Sequence, residues 1–250
     1  GMQLVPGNLD AAARTCGGEC HPSVVSRVER SLMTTNAGLV SVNRAAWNEA
    51  SPADGIPHVT GIGFTPADTH FRQLCASCHL GVPKTEPWPI TEETRGGGCT
   101  ACHLACGREA LVELERYRAG RAGGGTAEPP AVHPDIALPS DNLPCFGCHS
   151  RSGRISLSYE GWHEANPVPS PGEGVVLRRL DDGRDVVRVS PDAHAAKGML
   201  CIDCHTAREV MGDGLRHARQ LDQAHVACED CHAPEALATG VMEIARSIAA

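Results

Sequence analysis

The sequence predicts a fold that is mostly loop, with short α-helices and little β-structure, organised by bound cofactors. Two observations predict it. The 250 residues include only three Phe, two Tyr and three Trp, so the large side chains that usually fill a core are scarce. The chain also contains 13 Cys and 13 His, and most of them recur in short motifs. A cofactor with a large apolar surface would supply the missing core.

Twelve of the cysteines form six motifs in which a His directly follows the second Cys. C-x-x-C-H is the attachment signature of c-type haem, in which two thiols bond the porphyrin and the His binds the iron. We therefore predict six haem c groups. The covalent ligands are Cys16, Cys20, Cys75, Cys78, Cys99, Cys102, Cys145, Cys148, Cys201, Cys204, Cys228 and Cys231, and the proximal iron ligands are His21, His79, His103, His149, His205 and His232.

The first site is longer than the others by one residue, and it reads Cys16-Gly-Gly-Glu-Cys20-His21. Gly17 and Gly18 would let this longer loop bend back on itself. Zinc ribbons and disulfide scaffolds are the alternatives for paired cysteines. Neither requires a His after every second Cys, so both are disfavoured.

The six sites form two groups of three. Corresponding proximal histidines are 128, 126 and 129 residues apart, and Trp47-Asn48-Glu49-Ala50 matches Trp162-His163-Glu164-Ala165. This indicates a duplicated trihaem unit. We predict a first unit at 1–118, a Gly/Pro-rich linker at 119–131 and a second unit at 132–250.

Few segments have the periodicity of regular structure. Helices are predicted at Ser23–Thr34, Arg108–Arg118 and Glu235–Ile248. Val175–Val189 alternates apolar and charged residues and predicts a hairpin that turns at Asp182-Gly183. The rest is predicted to be loop.

Seven histidines remain as candidates for the second axial ligand, one more than six haems need. They are His58, His70, His133, His163, His194, His217 and His225. His70 and His194 are the strongest because the repeat places them equivalently, and His217 or His225 is a candidate for the surplus residue. The pairing of these histidines with individual irons stays open.

The repeat is imperfect at one of these positions, because Asn48 stands where the second unit has His163. One haem of the first unit therefore needs a ligand from His58, from the other unit or from a neighbouring subunit, with Met33 as a weaker option. Cys106 is the odd cysteine. A buried thiol, an intermolecular disulfide and an unusual iron contact all remain open for it.

The net charge and the hydropathy of the sequence limit which binding partners we expect. The formal charge is −8 before the haem propionates are added, which argues against nucleic acid and favours basic patches or cations. No apolar run is long enough to span a membrane. No signal peptide is visible at Gly1, and since haem is attached after export we expect a mature, periplasmic or extracellular form.

The stretch from His194 through Cys201-Ile-Asp-Cys204-His205 to Gly214, followed by Cys228-Glu-Asp-Cys231-His232, resembles multihaem cytochromes of anaerobic and metal-reducing microbes. The resemblance implies closely spaced bis-His haems that pass electrons to other redox proteins or to extracellular acceptors. Some members of that group polymerise into extracellular filaments, so a homopolymer is one expectation. A soluble periplasmic shuttle is the alternative. A reductase of a small nitrogen compound is less favoured, because the histidines suffice to close every iron.

Overall fold

The computed structural model describes residues 3–51, 55–85, 95–105, 107–128, 135–136, 141–150, 155–170, 172, 174–180 and 183–232. These residues form short helices and loops with little strand, which confirms the predicted fold class. The α-helices are α1 (Leu9–Ala12), α2 (Pro22–Arg30), α3 (Leu32–Thr35), α4 (Ala37–Ala46), α5 (Pro66–Leu74), α6 (Thr100–His103), α7 (Arg108–Ala122), α8 (Leu143–His149), α9 (Ile155–Tyr159), α10 (Ala193–Ala196), α11 (Cys201–Cys204), α12 (Ala207–Val210) and α13 (Gln220–Gln223). Single 3₁₀ turns lie at Val59–Gly61, Ala76–Cys78 and Cys228–Asp230.

The predicted helix Ser23–Thr34 is two helices, α2 and α3, because the backbone is extended at Ser31, with ψ at 156°. The Ser31 hydroxyl donates to the Val28 carbonyl at 2.8 Å and so terminates α2. Serine competes in this way with the helical hydrogen bond of its own turn. Val25 and Val28 form the buried face of α2.

Helices α4 and α5 pack against each other, in segments that the sequence predicted to be loop. Val40, Val59 and Phe71 form their shared apolar cluster. Thr65 caps α5 by accepting a hydrogen bond from the Asp68 amide at 3.2 Å, and Pro66 occupies the first turn, where its missing N–H costs nothing. Cap and proline together explain why a helix begins here.

Helix α7 begins where predicted and runs four residues further, into the segment predicted to be a linker. Its buried residues Ala110, Leu114 and Tyr117 recur every three or four positions and form one small cluster. The extension of α7 shortens the irregular part of that segment. The helix predicted at Glu235–Ile248 lies outside the described residues.

Two small antiparallel sheets are present among the described residues. Strands β1 (Leu104–Ala105) and β2 (Asp135–Ile136) form one of them, and β3 (Trp162–Glu164), β4 (Leu177–Arg179) and β5 (Asp185–Arg188) form the other in the order β3-β5-β4. The hairpin β4-β5 confirms the predicted one, with Gly183 at a φ of 83° in its turn. Strand β3 lies in a segment predicted to be loop.

The segment 209–223 of the second repeat packs against helices α2 and α3 of the first. The fully buried side chain of Gln223 donates to the Glu209 carbonyl, and its oxygen accepts from the Leu32 amide at 3.1 Å. Arg30 donates to the Gly214 carbonyl at 3.0 Å. The repeats are therefore in direct contact, and their boundaries at 118 and 132 stay a prediction.

The apolar core is small for the length of the chain. Among the described residues, its packed clusters are the two above and a third formed by Leu157, Leu180 and Val186. Large apolar side chains such as Phe64 and Leu221 are more than four-fifths exposed. None of the described helices is both long and apolar enough to cross a membrane.

Candidate haem-binding sites

Three of the five Cys-x-x-Cys-His motifs, the third, fifth and sixth, form a helical turn that closes on the same hydrogen bond. The His amide donates to the carbonyl of the first Cys at 3.2 Å for His103, 2.8 Å for His205 and 2.9 Å for His232. This bond folds the five residues of the motif into one turn and presents both thiols and the imidazole from one short segment. A porphyrin attached at two thiols and bound through its iron needs that local arrangement.

The stretched first site closes in the same way. The His21 amide donates to the Cys16 carbonyl at 2.9 Å, so the extra residue widens the turn without changing its ends. His21 then precedes α2, whose first residue is Pro22. The local backbone of this site therefore fits haem attachment as the regular sites do.

All twelve motif cysteines are free thiols, which gives no support to the disulfide alternative. Among the described residues, no group of three or more His, Cys, Asp or Glu side chains is placed to hold a metal ion. The cysteines range from partly buried to exposed and can therefore be reached by a cofactor.

Thiols of different motifs lie next to each other. Burial, and next the neighbouring Cys16, raise the pKa of Cys99 to about 11. A hydrogen bond with Cys201 raises the pKa of Cys145 and lowers that of Cys201 to about 7. The first site therefore lies next to the third, and the fourth site lies next to the fifth.

The remaining sites join the same series. A hydrogen bond with Cys78 of the second site raises the pKa of Cys148 in the fourth. Cys102 of the third site also lies near Cys148. Partial desolvation, and then the neighbouring Cys231 of the sixth site, raise the pKa of Cys204 in the fifth. The six motifs thus form one connected series, 1-3-4-5-6, with the second site beside the fourth.

Hydrogen bonds outside the thiols hold this series together. The Cys99 amide donates to the Gly7 carbonyl at 3.0 Å, which fixes the third site against the segment before the first. The Cys201 amide donates to Asn142 Oδ1 at 2.8 Å, and Arg95 Nε donates to the Gly147 carbonyl at 2.5 Å. Residues that flank one motif therefore bond directly to residues of another, since Asn142 lies just before the fourth site and Arg95 just before the third.

The imidazoles of His194 and His232 have the spacing of an axial pair. Their ring centroids are 5.9 Å apart. Two imidazoles on opposite sides of one metal would have centroids about 6 Å apart, since each metal–nitrogen bond is about 2 Å. His232 is the proximal residue of the sixth site, so the residues present there fit a bis-His haem.

His58 lies beside His79, the proximal residue of the second site. Burial, and next the charge of His58, lower the pKa of His79 to about 4. Burial and the Arg216 guanidinium lower the pKa of His58 as well. The Thr60 amide donates to His58 Nδ1 at 3.1 Å, and the Thr60 hydroxyl lies 2.8 Å from the same nitrogen. The neutral His58 ring therefore carries its proton on Nε2, and binding a metal through Nε2 would displace that proton.

Three other histidines have Nδ1 bonded to a side-chain oxygen. His70 Nδ1 bonds Asn43 Oδ1 at 2.8 Å, His194 Nδ1 bonds Asp192 Oδ1 at 2.9 Å, and His205 Nδ1 bonds Glu209 Oε1 at 2.9 Å. An acceptor at one ring nitrogen fixes the proton there and leaves the other nitrogen unprotonated for a metal. In these rings Nε2 is therefore the nitrogen available to a metal.

His217 differs from the other candidates. Its Nε2 bonds Asp213 Oδ2 at 2.9 Å, and both side chains are largely buried. The nitrogen that iron usually takes is occupied, so His217 is the best candidate for the surplus histidine.

The other predicted ligands are described only in part. His163 is exposed in β3, and His225 is exposed in the loop before the sixth site. His133 and Cys106 lie outside the described residues. Met33 is half-buried, and its carbonyl accepts a hydrogen bond from the Leu80 amide at 2.8 Å.

The side chains that hold the ring nitrogens were missed from sequence. Glu209 follows His205 by four residues and Asp213 precedes His217 by four, a spacing that places side chains on one face of a helical turn. Asp192 caps the helix that carries His194. A short sequence spacing could therefore have pointed to Glu209, Asp213 and Asp192 as partners of these histidines. Asn43 is 27 residues from His70, so no such spacing could have pointed to it.

The family model described as cytochrome c554 and c-prime matches residues 177–233. The matched segment contains the hairpin and the fifth and sixth sites. It supports a multihaem c-type cytochrome, with haem c as cofactor and electron transfer as function, at a coarse level. No curated protein and no solved structure matches the chain.

Proposed function

We propose that the protein binds six haem c groups and carries electrons along them. The observation that carries the proposal is the contiguity of the six motifs, each of which has a thiol close to a thiol of another site. Haem supplies the redox centre, an iron that alternates between the ferric and ferrous states. The chain's own residues fix spacing, orientation and ligand strength.

We further propose which histidines complete the iron sites. His194 serves the sixth site with His232, and His58 serves the second with His79. The repeat then assigns His70 to the third site with His103. The first, fourth and fifth sites remain for His133, His163 and His225, and His217 is left over. This set closes every iron within one chain, so a ligand from a neighbouring subunit is not needed.

The proposed setting is outside the cytoplasm, where c-type haem is attached. Filament formation and a soluble periplasmic shuttle are both compatible with a closed ligand set, and the resemblance favours the filament. Electron microscopy of the purified holoprotein separates them. Ordered fibres support the filament, and monodisperse particles support the shuttle.

Intact-mass measurement of the mature protein tests the number of haems. We expect six adducts, and five after the change Cys16→Ala with Cys20→Ala, because the stretched first site closes on the same hydrogen bond as the regular sites. Five adducts in the unaltered protein would mean that the first site is empty.

A further inference from the structure

The two repeats hold equivalent histidines in different ways. His205 and His79 are equivalent proximal residues of the fifth and second sites. His205 Nδ1 bonds the carboxylate of Glu209, whereas His79 Nδ1 is buried and has no hydrogen-bond partner among the described residues. Pro83 stands four residues after His79, where the second repeat has Glu209, so the first repeat cannot form this bond.

The distal candidates show the same difference. His194 Nδ1 bonds the carboxylate of Asp192, and His70 Nδ1 bonds the neutral amide of Asn43. The first repeat does have an acid two residues before its histidine, Asp68, but that acid pairs with Arg44 at 2.8 Å. At both equivalent positions the carboxylate is therefore in the second repeat.

A carboxylate acceptor changes the ligand. It draws the Nδ1 proton, which makes Nε2 a stronger electron donor, and it brings a negative charge close to the iron. Both effects stabilise ferric over ferrous iron and lower the reduction potential, since hydrogen bonding around the axial ligand is one of the levers on haem potential. A buried His79 without an acceptor has neither effect.

The Glu209 carboxylate is well placed to act strongly. Its side chain is 9% exposed, and its described partners are His205 and the neutral amide of Gln220, which donates at 3.2 Å. Asp192 is 47% exposed, so water screens its charge more. The cationic Arg216 has the opposite effect on the second site. It donates to the Ile56 carbonyl near His58 at 3.0 Å, and a cation there favours ferrous iron.

Resting on the proposed function, we propose that Glu209 and Asp192 make the fifth and sixth haems the low-potential end of the series. The second and third haems form the high-potential side, so the arrangement favours electron flow from the second repeat to the first. Glu209, Asp192 and Asn43 act here as positioning residues, because each of them acts through a histidine.

The test is a spectroelectrochemical titration of the holoprotein, with the low-spin signals resolved by electron paramagnetic resonance. Glu209→Gln keeps the shape of the side chain and removes its charge. We expect the ratio of reduced to oxidised fifth haem at a fixed potential to rise about tenfold, which is 59 mV for one electron. Asp192→Asn should raise the ratio for the sixth haem by a smaller factor, about threefold, because of screening.

Asn43→Asp is the reciprocal variant and should lower the ratio for the haem served by His70. Asp185→Asn is the matched control, since it removes one charge from the same repeat at a site whose described partner is the exposed Arg179. It should shift the reduction potentials of all six haems by the same small amount. Asp192→Asn and Asn43→Asp lie on other elements and keep the test decisive if Glu209→Gln does not fold.

The haem count and spin state are measured on each variant first. Fewer than six haems in the unaltered protein would count against the proposed function. Six low-spin haems with unshifted potentials in Glu209→Gln and Asp192→Asn, or shifts toward lower potential, would overturn the inference alone.

Discussion

At the scale of single residues, the candidate distal histidines differ in which ring nitrogen is hydrogen-bonded. His70 and His194 are bonded at Nδ1, whereas His217 is bonded at Nε2. From sequence, all three were candidate distal ligands, and the repeat favoured only His70 and His194. The difference lies in side-chain partners, one of which is distant along the chain.

Replacing His70 or His194 by Ala should open one iron in each variant. Because the distal ligand is lost, we expect one high-spin haem that binds carbon monoxide in an otherwise low-spin protein. The carbon monoxide difference spectrum measures it. His217→Gln, which can still bond Asp213, is the control and should bind no carbon monoxide. An unchanged spectrum in His70→Ala or His194→Ala would remove that residue from the ligand set.

At the scale of elements, the ion pair of Arg44 with Asp68 joins α4 to α5. Two hydrogen bonds of 2.8 Å connect the guanidinium to both carboxylate oxygens, and the Gly63 amide also donates to Asp68 at 2.6 Å. The hydrogen bond from Arg44 is the main reason why the pKa of Asp68 lies below its usual value. Next to this pair, Asn43 donates to the Ala67 carbonyl at 2.5 Å and accepts from His70.

Asp68→Asn should therefore destabilise the holoprotein, by about 3 kcal/mol, since it leaves a largely buried guanidinium without its anion. Thermal unfolding followed by circular dichroism measures the change. Asp185→Asn, at the exposed pair with Arg179, should cost less than about 1 kcal/mol. Equal effects of the two changes would contradict the structural role of the buried pair.

The same variant has a predictable pH dependence. A carboxyl whose pKa is depressed in the folded state stabilises the fold above its unfolded pKa, here the ordinary value of 3.8. That contribution is lost as the pH falls through the lower, folded pKa. The difference in stability between the unaltered protein and Asp68→Asn should therefore be full at neutral pH and shrink below about pH 3.8.

The elements that sequence predicted are those with a local signal. Helix α7 and the hairpin β4-β5 follow from periodicity and a turn glycine. Helices α4 and α5 were missed although Thr65 and Pro66 form a recognisable start, because a short helix with a mixed surface has little periodicity to detect. Ser31 split α2 from α3 through a side-chain hydrogen bond that a pattern of apolar residues does not contain.

The candidate site divides in the same way. The motif cysteines and proximal histidines are predicted from spacing alone and stay a prediction, and the closed turns at Cys99, Cys201 and Cys228 agree with that spacing. The contacts between motifs could not be predicted, since they join residues far apart in the chain. Cys78 and Cys148 are one example, and Asn43 with His70 is another.

At the scale of the whole molecule, the core is too small and too divided to hold the chain together by itself. The part of the chain that the structure describes has three clusters of three buried residues each, and apolar side chains such as Leu74 and Leu221 stay exposed. Flat apolar cofactors next to each motif would cover this surface. The fold and the cofactors are then one thermodynamic unit, as in proteins whose metal site drives folding.

Protein produced without the haem-attachment machinery should consequently lack cooperative unfolding. The expected result is a broad, shallow thermal transition by circular dichroism, beside a sharp one for the holoprotein. The physical reason is that the remaining apolar area is too small for a domain of this length. A well-folded apoprotein with a sharp transition would contradict it.

In the proposed ligand set, one chain closes all six irons with paired histidines. Quantitative electron paramagnetic resonance of the isolated, fully oxidised monomer, at several protein concentrations, tests this set. We expect six low-spin ferric haems and no high-spin signal at any concentration. A high-spin iron that becomes low-spin as chains associate would show a ligand shared between subunits, a high-spin iron that persists would show an open site, and either result would contradict the claim.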